Sequence, residues 1–225
     1  AVMPRERLSG AERVLVVGGG FIGLEVAATA RSAGKTVTVV EALDRLMARA
    51  VSPVVSAHFA AVHRARGVDL RCGLGLASIA GQPDGSLVAT LADGSTVPAD
   101  LLVAGIGVLP NQELAAAAGL ACHNGIVVDE YARTSDPRIV AAGDCTWHVN
   151  RRFAAPHRLE SVQNAVDQGK VAAASLLGQA VPYAELPWFW SDQYDVKLQM
   201  AGLSQTHDQL VLRGDPASGA FSVFY

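Results

Sequence analysis

Gly18, Gly20 and Gly23 stand in the spacing G-x-G-x-x-G, directly behind the apolar run Val14–Val17 and ahead of a helical pattern reaching about Ser32. That spacing can hold a phosphate chain against a backbone. Gly18 can take a tight turn, Gly20 withholds a side chain where a pyrophosphate would approach, and Gly23 lets helix and strand pack closely. The helix start adds unpaired N–H groups and partial positive charge. Glu41 ends the next apolar run, Lys35–Val40, where its carboxylate can accept both ribose hydroxyls of an adenosine and repel a 2′-phosphate. Glycines, helix and acid together predict a dinucleotide site of the NAD type. Arg45 and Arg49 follow and keep an NADP reading open, the alternative being solvated charges. Glu25 has two readings: a first-turn acid favoured by the helix dipole, or a contact to the cofactor. Gly105 and Gly107, at the end of another apolar run, either let the same nucleotide pass or serve only a strand-to-helix turn.

The elements that must carry these residues follow from pattern and punctuation. Val14–Val17 and Lys35–Val40 read as parallel strands closing a βαβ unit with the intervening helix. Ser52 and Pro53 open a second helix as N-cap and first residue, with Val55, Phe59 and Val62 on one face and Gly67 as its stop. After Gly67 come strands at "VDLRC", "SLVATL" and "STVPADLLVAGIG", separated by turns at Pro83-Asp84-Gly85 and Asp93-Gly94. A short helix is predicted over Asn111–Ala118, strands at "GIVVDE" and "PRIVAAGD", and a long helix over Ser161–Leu177. Beyond Pro182 an aromatic link leads to "VKLQMAGL", "QLVLRG" and "AFSVFY", which alternate like an antiparallel sheet, and Tyr225 falls inside the last. The fold class expected is α/β: a doubly wound, Rossmann-like sheet with an inserted antiparallel meander, followed by the start of an antiparallel α+β domain.

Composition narrows the function classes. The chain has 225 residues, half of them hydrophobic, and a net charge of −3, which suits a globular core and not a nucleic-acid binder. The apolar run Val14–Leu24 is too short to span a bilayer and has no cleavage site behind it. Cys72, Cys122 and Cys145 are scattered, without CxxC spacing, which favours a reducing, cytoplasmic setting and idle thiols over a disulfide framework or a metal site.

At this point the motifs carry a resemblance. "VVGGGFIGLEVAATA", "LVAGIGVLPN", "TSDPRIVAAGDC", "ESVQNA" and "PWFWSDQY" occur here in the order found in FAD-dependent NADH:ferredoxin reductases of the putidaredoxin and rubredoxin reductase type. The chain resembles that family from about Arg13 to Tyr225. The resemblance implies two cofactors, NADH and FAD. For NADH it implies contacts from Gly18, Gly20, Phe21, Ile22, Gly23, Glu41, Gly105, Ile106 and Gly107, with Glu25 orienting the nicotinamide. For FAD it implies Gly143 and Asp144, the latter on the ribityl chain, with Val162 and Trp190 against the isoalloxazine ring. An indole in a proline-marked loop can cover a flat ring. It further implies three segments: 1–110 binding NAD(H), 111–180 completing an FAD domain, and 181–225 opening a C-terminal domain. The family's own first GxGxxG, for FAD, has no counterpart here, so the chain resembles the interior of such a reductase.

The implied partner is a [2Fe-2S] ferredoxin or a rubredoxin serving a P450 or a dioxygenase. Arg151, Arg152 and Arg158 cluster after the FAD-type segment and could dock an acidic ferredoxin, or form only a solvated loop. The six histidines are scattered, with His58 and His63 on different faces of one helix, and none is needed as nucleophile or base. Two rival classes share these motifs: an NADH oxidase or disulfide reductase, and a nucleotide-binding flavoprotein without turnover.

Overall fold

The computed structural model describes residues 5–153, 155–204 and 207–225. The chain divides into two compact units: Ala1–Gly107 with Ser191–Leu198 and Ser204–Tyr225, and Val108–Trp190 with Gln199–Leu203.

The first unit opens with helix α1 (Arg5–Gly10), strand β1 (Arg13–Val17), helix α2 (Phe21–Ser32), strand β2 (Thr36–Glu41), helix α3 (Pro53–Ala65) and strand β3 (Asp69–Cys72). Strands β4 (Leu76–Gly81), β5 (Leu87–Leu91), β6 (Thr96–Ala99) and β7 (Leu101–Ala104) follow. β1, β2, β3 and β7 make one parallel sheet in the order β3-β2-β1-β7, with Val14 opposite both Val37 and Leu101. β4, β5 and β6 are the inserted antiparallel meander. Leu15, Val17 and Val40 of the parallel strands pack with Ala89, Leu91, Val97 and Ala99 of the meander in one buried cluster. Buried on both faces, β1 is a continuous β-branched and aliphatic run, as a parallel strand requires. Asp100 pins its start: the carboxylate accepts from Arg13 N–H at 2.8 Å and from its guanidinium at 2.6 Å. That network holds the Asp100 carboxyl well below the ordinary carboxylate range.

The second unit contains α4 (Glu113–Ala117), β8 (Ile126–Val128), β9 (Thr146–Val149), the two-residue β10 (Pro156–His157) and α5 (Val162–Leu176). β9 runs parallel to β8 and antiparallel to β10. Val171 and Ala172 of α5 pack on Ala132 and Tyr183. Ser161 caps α5, accepting from Asn164 N–H at 3.1 Å. β11 (Trp188–Gln193) and β12 (Val196–Ala201) form a two-stranded sheet, and β13 (Val211–Asp215) pairs antiparallel with β14 (Ala220–Phe224).

Four local expectations change. "PRIVAAGD" is not a strand: Asp136 and Pro137 start a turn in which Asp136 binds Arg138 N–H at 3.0 Å, leaving one bridge at Val140. The strand of that region is β9. β4 went unpredicted because only its first residue is even half-buried, so no alternation betrays it. The aromatic link after Pro182 becomes strand β11 from Trp188 onward. Ser52 is the N-cap residue of α3 but its hydroxyl does not cap; it accepts from the Tyr225 hydroxyl at 2.9 Å instead.

Candidate functional site

The glycine turn is a backbone lock with one open place in it. Gly18 leaves β1 at φ +107°, and its N–H donates to Val40 O at 2.8 Å. A Cβ at Gly18 would lie 2.3 Å from Gly105 O, and one at Gly23 would lie 2.0 Å from Gly18 O. A Cβ at Gly105 would meet the Gly23 backbone at 3.3 Å. Gly18, Gly23 and Gly105 thus interlock the ends of β1 and β7 with the first turn of α2. Gly20 and Gly107 differ: a Cβ at either would meet nothing within 4 Å. Gly20 is the N-cap residue of α2, and no side chain caps the helix start. A phosphate chain fits here, against backbone with no side chain over it and at a positive helix end. Ile22 and Ile106 flank this place and are 59% and 71% exposed, apolar groups available to a ligand; Phe21 is half-buried.

Glu41 explains the middle glycine. Its Oε2 accepts from Gly19 N–H at 2.6 Å and its Oε1 from Leu43 N–H at 2.8 Å. A Cβ at Gly19 would lie 3.1 Å from Glu41 Cβ and 2.7 Å from Leu46 Cδ2. The fingerprint leaves that position free, so the spacing rule missed it; the triple glycine was the available signal. Each carboxylate oxygen keeps a lone pair for a hydroxyl donor. Arg45 is spent on its own loop, donating to Val51 O and Ala48 O at 2.8 Å each. Arg49 is exposed.

Glu25 is not a first-turn acid. α2 starts at Phe21 and holds no acidic residue in its first turn, so the dipole reading falls, its effect being confined to that turn. The half-buried Glu25 carboxylate accepts instead from Ser191 Oγ at 2.6 Å. Ser191 and Gln193 are fully buried.

In the second unit, Gly143 takes φ +83° and donates its N–H to Gln168 Oε1 at 2.7 Å. Thr146 Oγ1 donates to the same oxygen at 2.8 Å. Gln168, buried in the middle of α5, therefore sets the loop that presents Asp144; as an isolated amide on a polar helix it carried no sequence signal. Asp144 is exposed, and its carboxylate takes no partner among the described residues. Val162 at the start of α5 and Trp190 on β11 are 61% and 43% exposed. An acceptor for hydroxyls, an exposed aliphatic surface at a capped helix start and an indole face fit a flavin with its ribityl chain.

The three arginines are not equivalent. Arg151 pairs with Glu130, and Arg152 donates to Ala184 O at 2.9 Å. Arg158 is largely covered and pairs with Glu160. His148 is buried with both ring nitrogens lacking a hydrogen-bond partner; burial, with His157 alongside, pushes it down to about 4. No helix among the described residues is long and apolar enough to cross a membrane, and these residues include no group of three or more potential metal ligands.

Comparison with known proteins adds a family. The pyridine nucleotide-disulphide oxidoreductase family matches residues 2–169, and the reductase C-terminal family matches residues 188–225. The 5,5′-dehydrodivanillate O-demethylase ferredoxin reductase subunit of Sphingobium sp. is 48% identical, aligned over 100% of this chain and 54% of its own length. The ferredoxin reductase for the CYP199A2 system of Rhodopseudomonas palustris is 49% identical with a TM-score of 0.94, over 98% of this chain and 55% of that one. A covalent putidaredoxin reductase–putidaredoxin complex gives 45% identity and a TM-score of 0.93, over 98% and 54%. The chain spans about half the length of the relatives it matches.

Proposed function

Because this chain belongs to the pyridine nucleotide-disulphide oxidoreductase family, we propose that it forms the NADH-binding and flavin-facing parts of a reductase passing electrons from NADH through FAD to a [2Fe-2S] ferredoxin or rubredoxin. In that scheme residues 1–110 bind NAD(H), 111–180 complete the FAD domain, and 181–225 begin the C-terminal domain. The terminal acceptor is a P450 or dioxygenase system, and the setting is a reducing cytoplasm in keeping with three free cysteines. The observation that carries the reading is the open backbone at Gly20 with the doubly anchored Glu41 carboxylate beside the same turn.

Bound FAD would supply the redox chemistry, linking two-electron exchange with a nicotinamide to one-electron exchange with an iron centre. The chain's residues bind and orient. Gly20 and Gly107 leave the backbone bare for the pyrophosphate, and the start of α2 offers it donors. Glu41 takes the adenosine ribose hydroxyls, and its charge, with Arg45 engaged elsewhere, selects NADH over NADPH. Glu25 orients the nicotinamide. Asp144 accepts from the ribityl chain, and Val162 and Trp190 cover the ring system. Names support the acceptor: two of the relatives described are ferredoxin reductases, and a third is a putidaredoxin reductase solved with putidaredoxin. Arg151 and Arg152 offer it a basic edge; Arg158, covered and paired, contributes less.

Stopped-flow mixing of the FAD-loaded holoprotein with NADH and then oxidised ferredoxin tests this. The expectation is rapid flavin bleaching followed by ferredoxin reduction much faster than reaction with oxygen. Bleaching followed only by oxygen or disulfide reduction would overturn the acceptor and favour an oxidase or disulfide reductase. Nucleotide binding without bleaching would make the protein a binder and not a reductase.

A further inference from the structure

"PWFWSDQY" is a strand with two faces. Burial along β11 alternates: Trp188, Trp190 and Asp192 are exposed, whereas Ser191 and Gln193 are fully buried. The exposed face suits the flavin assignment of Trp190. The buried face has so far no task, and polar side chains are buried only when something holds them.

What holds them is a chain of hydrogen bonds with a single direction. Ser191 Oγ donates to Glu25 Oε1 at 2.6 Å. Gln193 Nε2 donates to Ser191 Oγ at 3.2 Å. Gln193 Oε1 then has to accept from His63 Nε2–H, at 2.9 Å, which fixes the neutral ring with its proton on Nε2. His63 Nδ1 is left as acceptor, and Tyr194 Oη donates to it at 3.4 Å. Every donor points toward the carboxylate, so each bond polarises the next in the same sense. His63 is fully buried, and burial lowers its pKa, keeping the ring neutral as the chain requires.

The far end is fixed too. Tyr194 stands in the turn after β11 at φ +58°, a left-handed conformation that a bulky residue holds only under constraint. Its ring lies 5.1 Å from the His63 ring and under the Arg66 guanidinium at 4.4 Å, and Arg66 pairs with Asp195.

We propose that Ser191, Gln193 and His63 are positioning residues that fix the Glu25 carboxylate through Oε1, leaving Oε2 as the acceptor that recognises the nicotinamide carboxamide. A free glutamate on a helix samples several rotamers; one anchored at a single oxygen presents the other in a fixed place at lower entropic cost. The proposal rests on the assignment of Glu25 to the nicotinamide end of the NADH site. It gives the buried Ser191 and Gln193 of β11 a task within the first unit, the orientation of the hydride donor.

The test compares two ligands by calorimetry on the FAD-loaded holoprotein: NAD⁺, and ADP-ribose, which lacks the nicotinamide. Ser191→Ala should weaken NAD⁺ about tenfold, the effect of losing a hydrogen bond to a charged group, while ADP-ribose stays within about twofold. Glu25→Ala should weaken NAD⁺ alike, and adding Ser191→Ala to it should cost nothing more, the signature of coupled residues. Gln193→Leu should show a smaller effect of the same selectivity, and Ser191→Thr, which keeps the hydroxyl, should restore NAD⁺ affinity if the alanine variant is unstable. Equal weakening of both ligands, no change in either, or full additivity with Glu25→Ala would overturn the positioning role while leaving the NADH assignment standing. Failure of the unaltered protein to bind either ligand would overturn both.

Discussion

The two units solve different problems with polar groups. In the first, polar groups are satisfied from within: at the glycine turn both oxygens of Glu41 are bound by backbone N–H groups, at the start of β1 Asp100 is bound by Arg13, and Glu25 ends a hydrogen-bond chain. In the second, among the described residues, Asp144 has no partner, and every buried side-chain nitrogen left without one is there, on His148, His157 and Arg158. A buried, unpaired nitrogen costs about 1–3 kcal/mol. In the first unit the carboxylates are thus held by groups of the unit itself. The second leaves buried ring and guanidinium nitrogens unpaired among the described residues.

That contrast can be broken at its strongest point by Gly23→Ala. The new methyl would lie 2.0 Å from the backbone oxygen of Gly18, which no side-chain rotation can move, so the first unit should lose ~3 kcal/mol or more in urea unfolding. A loss under ~1 kcal/mol would mean that the glycine lock relaxes easily. In the second unit, Gln168→Leu removes the acceptor of Gly143 N–H and should cost ~2 kcal/mol by the same assay. Little change there would show that the loop before Asp144 is held by something other than α5.

Acid should separate the units next. The folded-state pKa of His148 lies near 4, below its ordinary 6.5. Between those values the unfolded chain binds a proton that the folded one refuses, so stability present above pH 6.5 is lost as pH falls toward 4. The slope is at most ~1.4 kcal/mol per pH unit from this group. His63 in the first unit shifts in the same direction, so the informative quantity is the difference between the protein and His148→Phe, whose ring keeps the edge contact to Tyr183. Identical pH profiles would remove His148 from the account. The smallest effect is expected at the surface. Reversing Arg151 and Arg152 to Glu should change ferredoxin reduction about threefold at low salt and flatten its salt dependence. An unchanged salt profile would end the docking role.

The sequence made one half of this contrast far more legible than the other. Glycine spacing, parallel strands and a terminal acid are local signals, and β1, α2, β2 and the meander turns followed from them. Gly19 became intelligible only once Glu41 had folded back onto it. Gln168, Ser191 and His63 are long-range partners, and no periodicity points from a helix interior to a loop far away in the chain. β4 was hidden by exposure and "PRIVAAGD" by turn chemistry at Asp136-Pro137, both places where a hydrophobic pattern gives the wrong answer. Glu25 shows the same limit: its position on the helix suggested a dipole, and only the strand that returns to it reveals its bond.

The central claim is that the bare backbone at Gly20 is the NADH site. Gly20→Asp is its sharpest probe, because the site has room for the side chain and aspartate is a favoured N-cap, so the fold should be retained or gain up to ~1 kcal/mol. The added carboxylate would occupy the pyrophosphate's place and repel it. Titration with NADH, followed by the nicotinamide fluorescence, should give saturable binding for the unaltered protein and a loss of at least about a hundredfold in Gly20→Asp at equal stability. Equal affinity in the two proteins would contradict the account, as would no saturable binding in either.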